Sequence, residues 1–200
     1  MDKKQQTIDT YNKSAQQLAD KFDASGARIA DIEMACSLVG KKNPKVFEIG
    51  CGNGRDAAEF VKHTDDYTGI DISEELIKLA KQKVPSGKFL VGDIESFHLP
   101  KNIDIVFASA SLIHVNKESL EGIFSRILEA LNPSGLFCLS LKYNDSYKEV
   151  TKEDQFGTRT YWHYSDKDIL ELSQGFSLVK NELYDLRGQK WLEMVFRKSF

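Results

Sequence analysis

A strand-like apolar run broken by three alternate glycines, VFEIGCGNGRDA from Val46 to Ala57, constrains this chain more than any other stretch. Gly50, Gly52 and Gly54 allow positive φ and let bare backbone lie against whatever it faces. Downstream, strand and helix alternate through YTGIDIS, SEELIKLAKQKV, GKFLVGDIE, NIDIVFASAS, SLEGIFSRILEALNPSG and GLFCLSLKY. Such alternation builds a parallel sheet with helices on both faces. Two longer strands, FSLVKNELYDL and QKWLEMVFRKS, meet at Arg187-Gly188-Gln189 and predict an antiparallel hairpin. The expected fold is α/β: a doubly wound, mostly parallel, seven-stranded Rossmann-like sheet with an antiparallel edge hairpin.

Ahead of that core, Ile8, Tyr11, Ala15, Leu18, Ala19 and Phe22 fall at the spacing of one helix. Ile29, Ile32, Ala35, Cys36 and Val39 give a second, which Gly40 stops. Residues 1–40 read as a helical cap on a core spanning 45–200, the whole being a single domain. Ser165 and Asp168 form a capping box for a last helix, which Gly175 ends. From Tyr143 to Tyr164 the chain reads as one long irregular segment, the length of a lid or binding loop.

Charge and cysteine usage narrow the function classes. A net charge of −3 provides no basic field to draw nucleic acid or an anionic membrane. Lys78, Lys81 and Lys83 read as the wet face of a helix. Cys36, Cys51 and Cys138 lie far apart without metal-ligand spacing, as reduced thiols of a cytoplasmic protein would, and no metal is expected. MDKKQQTIDTYNKS lacks the apolar core of a secretion signal, and no apolar run reaches membrane-spanning length.

In an open parallel sheet, ligands sit beyond the carboxyl ends of the strands where strand order reverses. Acids stand at that rim: Glu48 before the glycines, Asp71 after the second strand and Asp93 after the third. Asp71 follows the glycines by about twenty residues, the spacing at which a carboxylate accepts ribose hydroxyls. Asp93 can accept from an adenine amine. A dinucleotide fingerprint, GxGxxG, fits less well, since the third glycine comes one position early and Glu48 would face a pyrophosphate. A ligand carrying an ammonium and a sulfonium suits Glu48 better.

On these motifs the chain resembles the class I S-adenosylmethionine-dependent methyltransferases over nearly its whole length. VFEIGCGNGRD is similar to their first motif, GIDIS to the ribose-binding acid motif and VGDIESF to the adenine-contact motif. NIDIVFASASLIHV is similar to the segment after the fourth strand, and LNPSGLF to the turn into the fifth. Within the class it looks most like small bacterial proteins of the tellurite-resistance type. The resemblance implies S-adenosylmethionine as cofactor. Glu48, Gly50, Cys51 and Gly52 would line its methionine part, with Arg55 near the carboxylate. Asp71 would hold the ribose, Ile72, Asp93 and Ile94 the adenine. Ala110 would lie near the sulfonium, and Tyr11 would fold over the cofactor.

Methyl transfer from a sulfonium is an in-line displacement that chiefly needs an aligned acceptor, with a base only where the acceptor must lose a proton. Five candidates face the expected mouth. His114 could be that base, and its alternative is a histidine satisfied by backbone. Arg159 and Tyr161 could clamp a polar or anionic acceptor, and Trp191 could wall the pocket. His163 is a weaker candidate. No Asn/Asp-Pro-Pro-aromatic motif or Pro-Cys dipeptide follows the fourth strand. A small-molecule acceptor is therefore expected, with oxygen, nitrogen and a chalcogen open. The rivals are a non-catalytic cofactor-binding sensor and, more distantly, a nicotinamide oxidoreductase.

Overall fold

The computed structural model describes residues 2–199. Its centre is a parallel array of β1 (Val46–Ile49), β2 (Tyr67–Asp71), β3 (Lys88–Val91), β4 (Ile103–Ser109) and β5 (Leu131–Tyr143), in the spatial order β3-β2-β1-β4-β5. The order reverses between β1 and β4, so a crevice opens above their carboxyl ends. β1 is buried throughout and β4 nearly so, as strands covered on both faces must be.

The helices explain that burial. α3 (Ile29–Val39), α4 (Ala57–Phe60) and α5 (Glu74–Lys83) cover one face, where Ile32, Phe60 and Ile77 pack with Val46, Ile105 and Phe107. α6 (Lys117–Ala130) and α7 (Asp166–Leu172) cover the other, where Leu120, Phe124 and Ile169 pack with Phe47, Val106 and Phe137. Along β4, successive residues thus feed opposite cores, the period of two that a pleated strand imposes. Local chemistry fixes the helix starts. Ser73 accepts from Leu76 N, Asn116 accepts from Ser119 N, and Ser165 forms the expected capping box with Asp168. Lys78, Lys81 and Lys83 are exposed on α5. α3 ends on Gly40 in the left-handed conformation.

The edge hairpin is present: β8 (Phe176–Leu186) and β9 (Gln189–Lys198) pair antiparallel, and β9 pairs antiparallel with β5 from Leu136 to Lys142. Arg187 and Gly188 both take positive φ, the geometry of a two-residue turn whose twist matches its strands.

Three expectations change. The sheet has nine strands rather than seven. The two additional strands are β6 (Lys148–Asp154) and β7 (Gly157–Tyr164), an antiparallel hairpin where a long irregular loop was expected. β7 pairs parallel with β5 at Lys142 and Tyr143, taking the edge of β5 that β4 leaves at Ser109. Finally, the expected first helix is two: α1 (Lys3–Lys13) and α2 (Ala15–Ser25) part at Ser14, whose hydroxyl bonds Phe156 O at 2.8 Å in the hairpin turn. The segment after the glycines forms one helical turn with irregular flanks. Among the described residues no helix is long and apolar enough to cross a membrane.

Candidate functional site

A cavity of about 840 Å³ opens over the carboxyl ends of β1, β2, β4 and β5, roofed by α1 and walled by the β6–β7 hairpin. That volume suits a nucleoside-sized ligand together with a small second molecule. Tyr11, Glu48, Gly50, Cys51, Gly52, Arg55, Asp71, Ile72, Asp93, Ile94, Ala110, His114, Arg159, Tyr161 and Trp191 all line it, whereas His163 does not.

The glycine turn is built from backbone. Gly50 N and Cys51 N both donate to Ile70 O, at 2.7 and 2.9 Å, so the turn is tied to the neighbouring strand. Gly50, Gly52 and Gly54 have φ of 71°, 54° and 79°. A Cβ on Gly50 would stand 2.2 Å from Ser111 Cβ, and one on Gly54 would press on Ala80 of α5 at 3.2 Å. The first glycine therefore clears the cavity floor, and the third admits a helix. Gly50→Ala combines positive φ with a side-chain collision, and is expected to lower stability by about 2–4 kcal/mol in urea unfolding.

Asp71 closes the same turn from β2. Its two oxygens accept from Gly52 N at 2.9 Å and Ser73 N at 2.8 Å. Burial raises its pKa and these backbone donors oppose the shift. Glu48 is 3 % exposed and takes a hydrogen bond from the Tyr67 hydroxyl. Burial first, and the Asp56 charge second, push its carboxyl up to about 8. The Ser111 hydroxyl beside Gly50 is buried without a hydrogen-bond partner. Ala110 has φ of 52° and donates to Ser140 Oγ at 2.9 Å, bending the chain sharply off β4.

Two expected contacts are already engaged within the protein. Arg55 forks onto its neighbour Asp56, Nε to Oδ1 at 3.0 Å and Nη2 to Oδ2 at 2.5 Å. Asp93 accepts from Lys4 Nζ of α1 at 2.6 Å and from Glu95 N at 3.0 Å. α1 thus reaches from the adenine end of the rim to the hairpin, where Thr10 donates to Thr158 O at 2.8 Å and Thr7 accepts from Thr160 N at 3.1 Å.

At the hairpin end, His114 is satisfied on both nitrogens. Nδ1 lies 2.6 Å from Thr160 O, which accepts only, so that nitrogen carries the proton. Nε2 then accepts from the Tyr11 hydroxyl at 2.9 Å. Burial lowers the His114 pKa to about 4. The imidazole is neutral, its lone pair spent on Tyr11, and it meets an acceptor only through that phenol. The Arg159 guanidinium lies 5.5 Å from the Tyr11 ring centroid and 5.7 Å from that of Tyr161, and pairs with Asp154 at 2.5 Å. Lys142, at the tip of β5, points its ammonium 4.8 Å from the Tyr161 ring and 5.1 Å from the Trp191 ring.

Lys4, Ser111 and Lys142 were not singled out from sequence. Lys142 alone carried a legible signal: it is the charged residue next to the carboxyl end of a largely buried strand of the parallel array.

Residues 46–135 match the family described as Methyltransferase domain. The malonyl-[acyl-carrier protein] O-methyltransferase of Acinetobacter baylyi is 31 % identical over 147 residues, 72 % of this chain and 56 % of that protein. The chain spans about half the length of the named relatives it matches. Among solved structures, magnesium protoporphyrin IX methyltransferase from Synechocystis PCC 6803 with bound SAM superposes with a TM-score of 0.73 at 19 % identity, over 100 % of this chain and 98 % of that one. The 1,6-didemethyltoxoflavin-N1-methyltransferase of Burkholderia thailandensis, with 1,6-didemethyltoxoflavin and S-adenosylhomocysteine bound, gives 0.72 at 20 % identity, over 96 % and 87 %. Residues 46–135 are thus similar to a methyltransferase domain, and the relatives and solved structures that this chain resembles are named as methyltransferases.

Proposed function

We propose that this chain is a single-domain, cytoplasmic enzyme that methylates a small molecule at the expense of S-adenosylmethionine. The observation that carries the reading is the buried Glu48 carboxyl beside a bare glycine turn, with the unpartnered Ser111 hydroxyl next to it. A buried acid without a basic partner fits a ligand that brings its own ammonium. In this reading Glu48, Gly50, Cys51 and Gly52 hold the methionine part, Asp71 the ribose, and Ile72, Asp93 and Ile94 the adenine. Arg55 reaches the cofactor carboxylate only by sharing its guanidinium with Asp56, and Lys4 must cede Asp93 to the adenine amine.

When bound, the cofactor supplies a methyl group already activated by positive sulfur. The chain's own residues align and dry the site. Ala110 and Ser111 set the floor, and α1 with Tyr11 excludes water above. His114 orients the Tyr11 hydroxyl instead of acting directly as the expected base. Arg159 and Tyr161 face the second half of the cavity, where an acceptor would lie. The three cysteines are free thiols, which supports the cytoplasmic reading.

The relatives above are named for acceptors as unlike as a malonyl-[acyl-carrier protein] and 1,6-didemethyltoxoflavin, so their likeness assigns no acceptor here. The tellurite-resistance resemblance rests on the sequence motifs alone. Calorimetric titration is expected to show micromolar-range binding of S-adenosylhomocysteine and no heat with NAD. The reverse pattern would return the site to a nicotinamide cofactor. Release of S-adenosylhomocysteine from S-adenosylmethionine in a metabolite screen would separate the enzyme from a non-catalytic sensor.

A further inference from the structure

Resting on that reading, we propose that the methyl acceptor is a small carboxylate, seated between Arg159 and Lys142 and converted to its methyl ester. The cavity carries carboxylates at one end and cationic side chains at the other. Glu48, Asp71 and Asp93 line its β1–β2–β3 side, while Arg159 and Lys142 line the side made by β5 and β7. A sulfonium with an ammonium belongs at the first, an anion at the second.

The basic side is built and incompletely satisfied. The Arg159 side chain is only 7 % exposed, and its Nε is buried without a hydrogen-bond partner although Nη2 holds Asp154. Guanidinium donors form a planar fork that matches a carboxylate. Lys142 has no carboxylate within 4.0 Å among the described residues; its polar contact is Gln189 Oε1 at 3.3 Å, and its charge otherwise rests on Tyr161 and Trp191. The charged and titratable groups facing it are Lys152, Arg159, Lys21, His163, His114 and Tyr161. Burial first, then the charges of Lys152, Arg159 and Lys21, lower its pKa to about 8. An ammonium held this way lacks an anion, and an amine acceptor in its charged form would be repelled.

The chemistry agrees. A phenol, amine or thiol acceptor must shed a proton, yet the one lone pair of His114 is held by the Tyr11 hydroxyl. A carboxylate needs no base. One of its oxygens forms the new O–CH3 bond as the C–S bond breaks, the electron pair leaving with sulfur. A carboxylate and a sulfonium become a neutral ester and a thioether, and no proton moves.

The test uses the full chain, radiolabelled S-adenosylmethionine, and aliphatic and aromatic mono- and dicarboxylates, each beside its primary amide. Methyl esters release volatile methanol in alkali, whereas methyl groups on nitrogen, carbon, sulfur or ether oxygen stay put. Alkali-labile label is expected from a carboxylate and none from its amide. The same carboxylate should raise the Lys142 titration, followed by NMR of 13C-methylated lysines. Its kcat/KM should fall above about pH 8, and this limb should vanish in Lys142→Arg. Arg159→Gln and Lys142→Met should each lose about 100-fold in kcat/KM, with S-adenosylhomocysteine affinity held within about threefold. Normal S-adenosylhomocysteine binding with no carboxylate labelled or bound overturns the proposal, as does alkali-stable label on an amine, phenol or thiol. If S-adenosylhomocysteine itself fails to bind the wild type, the methyltransferase reading falls first.

Discussion

Asp71→Asn is expected to weaken S-adenosylhomocysteine binding by at least about 100-fold while the sheet stays folded. The carboxylate has roughly four lone-pair sites. Gly52 N and Ser73 N take one on each oxygen, leaving one on each for a pair of ribose hydroxyls. Hydrogen bonds to a charged group contribute about 1.5–3 kcal/mol each, and asparagine removes one acceptor oxygen together with the charge behind the other, so the combined loss reaches about a hundredfold. Asparagine keeps the shape but presents an amide N–H2 to one of the two backbone donors, so a lower melting temperature is expected too. The ribose assignment separates from that structural effect in a cycle with the 2′-deoxy analogue. Wild type should lose affinity for the analogue, and Asp71→Asn should lose little more. Equal losses in both proteins would leave Asp71 as a brace for the turn and no more.

The alternation of buried strands and amphipathic helices was legible because each strand of the parallel array packs on both faces and each helix on one. Strand-tip acids were legible for the same reason: a charged residue closing an apolar run has only the rim to occupy. The β6–β7 hairpin was not. β6, KEVTKED, is exposed along most of its length, so it lacks the apolar alternation that marks a strand. Its partner GTRTYWHY is rich in β-branched and aromatic residues, the composition that favours a strand. The break between α1 and α2 was hidden because the stripe through Ile8, Tyr11 and Ala15 continues across Ser14. What separates the two helices is hydrogen bonding of Thr7, Thr10 and Ser14 to the hairpin, which no hydrophobic period reports. His114 shows the same limit. Its place after β4 was readable, but its protonation state depends on Thr160 and Tyr11, from β7 and α1.

Binding of S-adenosylhomocysteine at pH 7 is expected to release about one proton, and Glu48→Gln to abolish that release. With its pKa pushed to about 8 by burial and the Asp56 charge, the Glu48 carboxyl is protonated in the free protein at neutral pH. An ammonium arriving beside it favours the ionised form, so the proton leaves as the ligand enters. Calorimetry in phosphate and in Tris, whose ionisation enthalpies differ, reads this directly. The apparent enthalpy should differ between buffers for wild type and agree for Glu48→Gln, whose affinity should drop on the order of 100-fold. Stability gives an independent check with a fixed sign. A carboxyl whose folded pKa exceeds its unfolded value of 4.5 stabilises the fold fully below that value, and the contribution is lost as pH climbs towards about 8. Above that range the folded chain must hold a buried carboxylate that the unfolded chain would hydrate. Glutamine keeps an oxygen for the Tyr67 hydroxyl and carries no such charge. Ligand-free Glu48→Gln should therefore melt above wild type at pH 9, and this advantage should shrink at pH 6. A variant that melts lower at pH 9 and binds with the same buffer dependence would mean that Glu48 is ionised in the free protein.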